Sequence, residues 1–186
     1  MSSFHVILDA NVLFPETLRA ILLRCAKENL YRPFWSEEIL AEVERNLISN
    51  VSIPEARAKS HVDHIRKAFP EALVKLESYS SFVGVMQNDP KDRYVLAAVI
   101  AAKCQVIITE NIKDFPETVL APFEIQAHSP DEFLNYQLDL NHKLMAKIIR
   151  EQVAVYKNSP KTTKEFLTVL GKQAPTFVVA IEQYLS

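Results

Sequence analysis

Glycine is almost missing from this chain: among 186 residues there are only Gly84 and Gly171. A loop that cradles phosphate needs several glycines so that backbone amides can approach the anion, which argues against Walker-type and dinucleotide-binding sites. Cysteine is equally scarce. Cys25 and Cys104 each lie in an apolar context read as helical, with no second thiol at metal-ligand spacing, so neither a disulfide framework nor a zinc site is expected, and both read as buried free thiols. No run of about 18 apolar residues occurs, so no membrane partner is expected. The opening MSSFHVILDANVLF has neither the basic flank nor the cleavage site of a signal peptide, and the expected location is cytoplasmic. A strong charge of one sign is also absent: 21 basic and 23 acidic residues leave a net charge of -2, so nucleic-acid contact would have to come from a local patch.

With 48% hydrophobic and 24% charged residues, the chain has material for one globular domain plus an appendage. Three apolar or β-branched runs read as buried strands: Phe4–Leu8, Gln105–Thr109 and Phe123–Ala127. Tyr31–Phe34 and Phe82–Val85 are weaker candidates. Between them, helical spacing covers Glu16–Asn29, Glu37–Ile48, Pro54–Phe69 and Pro90–Lys103. Alternation of this kind predicts an α/β fold in three layers, a parallel sheet with helices on both faces. The pattern changes at His128. Ser129, Pro130 and Glu132 supply an N-cap, a proline at the first helical position and a capping-box acid. One helix of about 27 residues is expected from there, with Leu134, Leu138, Met145, Ile148, Ile149, Val153 and Tyr156 on a single apolar face. Asn158–Thr162 should break it, and shorter helices should follow at Thr163–Leu170 and Pro175–Leu185. The expected division is therefore 1–128 and an all-helical 129–186.

Four carboxylates stand where chemistry would be placed. Asp9 follows the first strand, at the carboxyl end where parallel sheets form a ligand crevice, although Asp9 or Asn11 could equally serve to turn the chain. Asp114 lies in TENIKDF directly after the QVIIT strand, at the same edge. Asp89, Pro90 and Asp92 read as N-cap, N1 and N3 of a helix, yet Asp92 shares a face with Val95, Leu96 and Val99, and a carboxylate heading inward needs a cation as partner. Glu42 is one acid among several in SEEILAEVERNL, and periodicity alone does not single it out. Lys91 and Arg93 flank Asp92 in a first helical turn, where positive charge opposes the helix dipole and a bound phosphate would justify it; solvated side chains are the plainer reading. Arg19, Arg24 and Lys27 complete the candidate basic patch. His61 and His64 form an H-x-x-H pair that reads as an exposed helix face.

Taken together, VILDANVLFP, SEEILAEVERNL and DPKDRYVLAAVIAAKCQVIITENIKDFP resemble the ordered signature of PIN-domain nucleases, over roughly residues 4 to 128. The resemblance implies a twisted parallel sheet of five strands and assigns the catalytic, metal-holding acids to Asp9, Glu42, Asp92 and Asp114, with Asn11, Thr109 and Asn111 in support. The segment after Ser129 is similar to the helical extension of one branch of VapC-type toxin ribonucleases. That similarity implies an RNA substrate, a cognate antitoxin protein and the toxin role in a VapBC-type pair; the alternative is a helical extension that simply packs on the domain or makes a homodimer. All-oxygen ligands suit Mg²⁺ or Mn²⁺, and the resemblance implies products with a 5′-phosphate and a 3′-hydroxyl. Because four carboxylates crowd one site, Asp9→Asn or Asp92→Asn is expected to leave the fold intact or firmer. Two other readings stay open: a non-catalytic RNA-binding or assembly module, and a Mg-dependent haloacid-dehalogenase-like phosphatase, whose general acid would fall on Asn11.

Overall fold

A computed structural model describes residues 4–156, 160 and 162–185. Five parallel strands form one sheet in the order β3-β2-β1-β4-β5: β1 His5–Leu8, β2 Arg32–Ser36, β3 Leu73–Val74, β4 Val106–Ile108 and β5 Gln126–His128. Val6, Ile7, Leu8, Ile107 and Ile108 are fully or almost fully buried, as unbroken apolar runs in a sheet covered on both faces must be. The helices are α1 Ala10–Leu13, α2 Glu16–Lys27, α3 Glu37–Val51, α4 Glu55–Ala68, α5 Arg93–Ala101, α6 Glu117–Leu120, α7 Pro130–Leu140, α8 His142–Val155, α9 Thr163–Leu170 and α10 Pro175–Glu182. No helix among the described residues is long and apolar enough to cross a membrane.

Several expectations shift. Phe82–Val85 is not a strand: Val83–Val85 forms a 3₁₀ turn with Val85 exposed, and the fifth strand is the pair Leu73–Val74, which hydrogen-bonds along Trp35 and Ser36. Two edge residues carry no readable periodicity, whereas Phe82 and Val83 do. The strand expected at Phe123–Ala127 begins at Gln126, because Phe123 closes a 3₁₀ turn and Glu124 adopts a left-handed conformation at φ 55°. Cys104 lies in the turn between α5 and β4, not in a helix; both cysteines are buried and free.

The long C-terminal helix is two helices. Asn141, at φ −158° and ψ 81°, leaves α7 and caps α8 by accepting the Leu144 N–H at 3.0 Å. An asparagine side chain that caps the following turn competes with helix continuation. The capping box at Ser129 is present as read, with Pro130 at the first position. The break expected around Asn158 lies largely outside the described residues, and Thr162 caps α9. The folding back of α8, α9 and α10 covers the apolar stripe within the chain: Leu134, Leu138, Met145, Ile148 and Ile149 are all buried. The core runs without interruption from the sheet through α2 into these helices.

Candidate active site

The register of the sheet builds the site from below. Leu8 of β1 pairs with Ile108 of β4, so the next residues, Asp9 and Thr109, are neighbours where the two central strands end. β2 and β3 lie to one side of β1 and β4 and β5 to the other, and a crevice opens where the winding changes direction. Thr109 Oγ1 donates to Asp9 Oδ2 at 2.7 Å, Asn11 Nδ2 donates to the same oxygen at 2.7 Å, and the Ala10 N–H donates to Asp9 Oδ1 at 2.7 Å. Asn11 Nδ2 also reaches Thr109 Oγ1 at 2.9 Å, and its Oδ1 accepts the Glu110 N–H at 3.0 Å. Asp9 is only 4% exposed, and burial raises its pKa against the opposing effect of these donors.

Above this base lies a crevice of about 880 Å³, lined by Glu38, Ala41, Glu42, Arg45, Asn46, Asp89, Lys91, Asp92, Tyr94, Asn111, Lys113 and Asp114. α3 supplies one wall. Its apolar positions Ile39, Leu40, Val43 and Leu47 go into the core, so Glu38, Glu42 and Arg45, at i, i+4 and i+7, face the crevice. Periodicity leaves Glu37, Glu38, Glu42 and Glu44 all off the core face, and only the packing of α3 brings Glu38 and Glu42 to the crevice. Each of the two glutamates accepts from a tyrosine: Tyr79 Oη donates to Glu38 Oε2, and Tyr94 Oη donates to Glu42 Oε2 at 2.8 Å. Burial and the bond to Glu42 push the Tyr94 phenol up, which keeps it a donor.

The start of α5 differs from its reading in the sequence. The helix begins at Arg93, Asp92 is the N-cap residue at φ −109° and ψ 8°, and its side chain makes no capping bond. Asp89 instead closes the preceding turn, with its Oδ1 accepting the Lys91 N–H at 3.0 Å and its carbonyl the Asp92 N–H at 2.9 Å. Asp92 is thereby free of the bland capping role. Its carboxyl is pushed up to about 6, first by burial and then by the negative charges of Asp9, Asp114 and Glu42. Those three couplings place the other expected acids within electrostatic reach of Asp92. None of the four is in an ion pair among the described residues. Asp114 ends the 3₁₀ turn Ile112–Asp114, and its carbonyl accepts the Asp89 N–H at 3.3 Å, tying the β4 loop to the turn before α5.

Of the expected supporting residues, Asn11 and Thr109 are hydrogen-bonded to Asp9, while Asn111 is exposed on the crevice wall and its N–H donates to Thr109 Oγ1 at 3.0 Å. The hydrogen bonds also divide the two asparagine substitutions. Both oxygens of Asp9 accept, so an amide NH₂ in its place would face a donor, whereas the Asp92 side chain makes no capping bond that an asparagine would lose.

The cations sort differently from expectation. Arg19 is buried at 8% exposure, and its Nη1 donates to the carbonyls of Leu13 and Phe14 at 2.7 and 2.9 Å, closing the end of α1; it is a structural residue and not a surface contact. Arg24 faces α8, bonded to Gln152 and Glu151. Lys27 lines a separate cavity beside Tyr31 and Phe69. Arg93 is half-buried with its Nε covered and unpartnered. Only Lys91 of this set lines the acidic crevice, whereas Arg45 and Lys113, unnoticed in the sequence, line it too. Their signal was present: Arg45 lies three positions after Glu42 on one helix, and Lys113 precedes Asp114.

An all-oxygen donor set, crowded enough to raise Asp92 and unpaired with any side-chain cation, fits a hard divalent metal. Among the described residues no group of three or more His, Cys, Asp or Glu side chains is placed to hold a metal ion as it stands, and Glu42, Asp92 and Asp114 border an open crevice. Such an opening leaves coordination positions for water and a substrate phosphate, which Mg²⁺ requires. Asn11, already committed to Asp9 and Thr109, has no acidic proton to give, which removes the general acid of a dehalogenase-like phosphatase.

Comparison with known proteins agrees with this architecture. A family model described as "PIN domain" matches residues 5–113, and one described as "VapC50 C-terminal domain" matches residues 130–183. The chain is 40% identical over 99 residues to a protein of Mycobacterium tuberculosis (strain ATCC 25618 / H37Rv) named "Putative ribonuclease VapC50". The matched stretch covers 53% of this chain and 59% of that relative. No solved structure matches the chain.

Proposed function

The chain belongs to the PIN-domain family, and from that premise we propose that it is a metal-dependent endoribonuclease that hydrolyses RNA phosphodiester bonds in the crevice between α3, the start of α5 and the loop after β4. The observation that carries the reading is Asp92: a carboxyl released from its capping role, raised to about 6 first by burial and then by the charges of Asp9, Asp114, Glu42 and Asp89, and in no ion pair among the described residues. Like charges at 4 Å repel by about 4 kcal/mol at an effective dielectric near 20, a cost that a fold retains where a cation relieves it.

Glu42, Asp92 and Asp114 border the crevice and would hold Mg²⁺ or Mn²⁺, with Asp9 behind them as the rigid base. When bound, the ion supplies an activated water and neutralises charge building on the phosphate. The chain's own groups do the rest. Thr109 and Asn11 hold Asp9 in place and, by donating to it, oppose the rise in its pKa that burial causes. The Tyr94 hydroxyl occupies one oxygen of Glu42 and leaves the other to the crevice. Asp92, with a pKa of about 6, is ionised over most of its population at pH 7 and is available as a ligand.

The segment from Pro130 onwards supports a finer reading, the toxin component of a VapBC-type pair whose antitoxin protein silences the site, with 129–186 as its helical extension. The decisive experiment incubates the purified protein with total cellular RNA in Mg²⁺, Mn²⁺ or EDTA, beside Asp92→Asn. Cleavage that needs both metal and Asp92 supports the nuclease. Cleavage at the parental rate by Asp92→Asn, or none by the parent in either metal, overturns it.

A further inference from the structure

The acids that make the crevice fit a metal make it a poor place for RNA. Five carboxylates line it, Glu38, Glu42, Asp89, Asp92 and Asp114, against three cations, Arg45, Lys91 and Lys113. A polyanion approaching within a Debye length of about 8 Å meets net repulsion unless the cations lie on its path. Each of the three comes from a different wall and stands beside an expected metal acid in the chain: Arg45 one turn on from Glu42 in α3, Lys91 directly before Asp92, Lys113 directly before Asp114. All three are exposed, and among the described residues none has a side-chain hydrogen bond or an ion pair, although carboxylates share their crevice. Arg19, Arg24, Arg32, Arg66 and Lys147, by contrast, are each engaged by a carbonyl or a carboxylate elsewhere in the fold.

We propose that Arg45, Lys91 and Lys113 form a three-walled phosphate rim that holds the backbone of a single RNA strand across the crevice, a proposal that rests on the nuclease reading and names how its substrate is held. Of the basic patch expected from the sequence the rim keeps only Lys91. Arg19 and Arg24 are bonded elsewhere, Arg93 does not line the crevice, and a cation on each wall can meet successive phosphates while the acids between them face the scissile one. Contacts of this kind are indifferent to base identity, so the rim sets affinity and register and leaves sequence preference to other groups.

The test measures the affinity of a fluorescein-labelled single-stranded oligoribonucleotide for full-length protein by anisotropy, in MgCl₂, over a KCl series. Asp92→Asn serves as background to prevent turnover. Arg45→Gln, Lys113→Gln and Lys91→Gln are compared with Lys143→Gln, an exposed lysine on α8 outside the crevice. Each rim substitution is expected to lower the slope of log Kd against log salt by about 0.7, the value for one phosphate contact to a single strand, and to weaken binding equally for oligonucleotides of different sequence. Lys143→Gln should change neither. Unchanged slopes for Arg45→Gln and Lys113→Gln, in a protein whose parent cleaves RNA, overturn the rim and leave the nuclease standing. An Asp92→Asn protein that binds no RNA at any salt overturns the rim as well, and absence of cleavage by the parent is the separate sign that the nuclease reading has failed.

Discussion

The carboxyl edge of the sheet and the seam between α2 and the C-terminal helices are built on opposite terms. In the seam Arg24, Glu28, Lys147 and Glu151 answer one another. Arg24 donates to Gln152 at 2.5 Å and meets Glu151, Lys147 bridges Glu28 and Glu151 at 4.0 and 3.7 Å, and beneath them Cys25 Sγ and Met145 Sδ lie 3.6 Å apart in a dry interior. Burial there holds the Cys25 thiol up at about 12, so it is an inert packing group. At the sheet edge four acids stand without an ion pair among the described residues, and burial together with the other acids raises the pKa of Asp92. The seam stabilises the fold, and the edge keeps charges that only an external cation or phosphate can satisfy. Removing a side chain should therefore cost activity in one region and stability in the other.

The largest effect expected is the loss of cleavage by orders of magnitude in Asp92→Asn, without loss of thermal stability, because one of several like charges is removed and no capping bond goes with it. Asp9→Asn should lose cleavage equally but melt lower, by an amount equivalent to roughly 1–3 kcal/mol, since a donor would face donors. Melting curves and cleavage assays on the same preparations check both, and equal melting temperatures for the two variants would break the distinction. On the other side of the comparison, Met145→Ala, at a fully buried position between α2 and α8, should cost about 2–5 kcal/mol in denaturant unfolding while molecules that remain folded still cleave RNA.

Smaller is the effect of Tyr94→Phe. It removes the donor to Glu42 without changing shape, and Mn²⁺ affinity measured by calorimetry should fall about tenfold, with little change in the melt of the metal-free protein. Unaltered Mn²⁺ binding would show that the phenol does not position that carboxylate. Smallest is a pH effect in the metal-free protein. The folded Asp92 carboxyl, at about 6, lies above the ordinary 3.8, so the folded state binds more protons between those values. The contribution is fully present below about 3.8, is lost as pH rises through about 6, and should vanish in Asp92→Asn. Denaturant midpoints at pH 4.5 and 7 for the two proteins read it as a difference of differences, and an identical pH dependence in both would remove Asp92 from the account.

The amino-acid order by itself determined the class of the molecule: the strands His5–Leu8 and Val106–Ile108 as apolar runs, the helices between them by their spacing, and the capping box at Ser129, while the set of four acids is legible only through the resemblance to PIN-domain nucleases. The strands, helices and cap are local signals, carried by periodicity and by caps within a few residues of each other. What only the tertiary structure decided depends on partners far apart in the chain. β3 exists because Trp35 and Ser36 offer it a ladder, Asp92 is free because Asp89 takes the turn, and Asn141 stops a helix that periodicity would continue. Above all, the fold sorted the cations, sending Arg19 to the end of α1 and Arg24 to α8 while leaving Arg45 and Lys113 on the crevice. A long cationic side chain has the same local pattern whether it ends in water, on a carbonyl or beside a substrate, and only the three-dimensional placement of acceptors tells these apart.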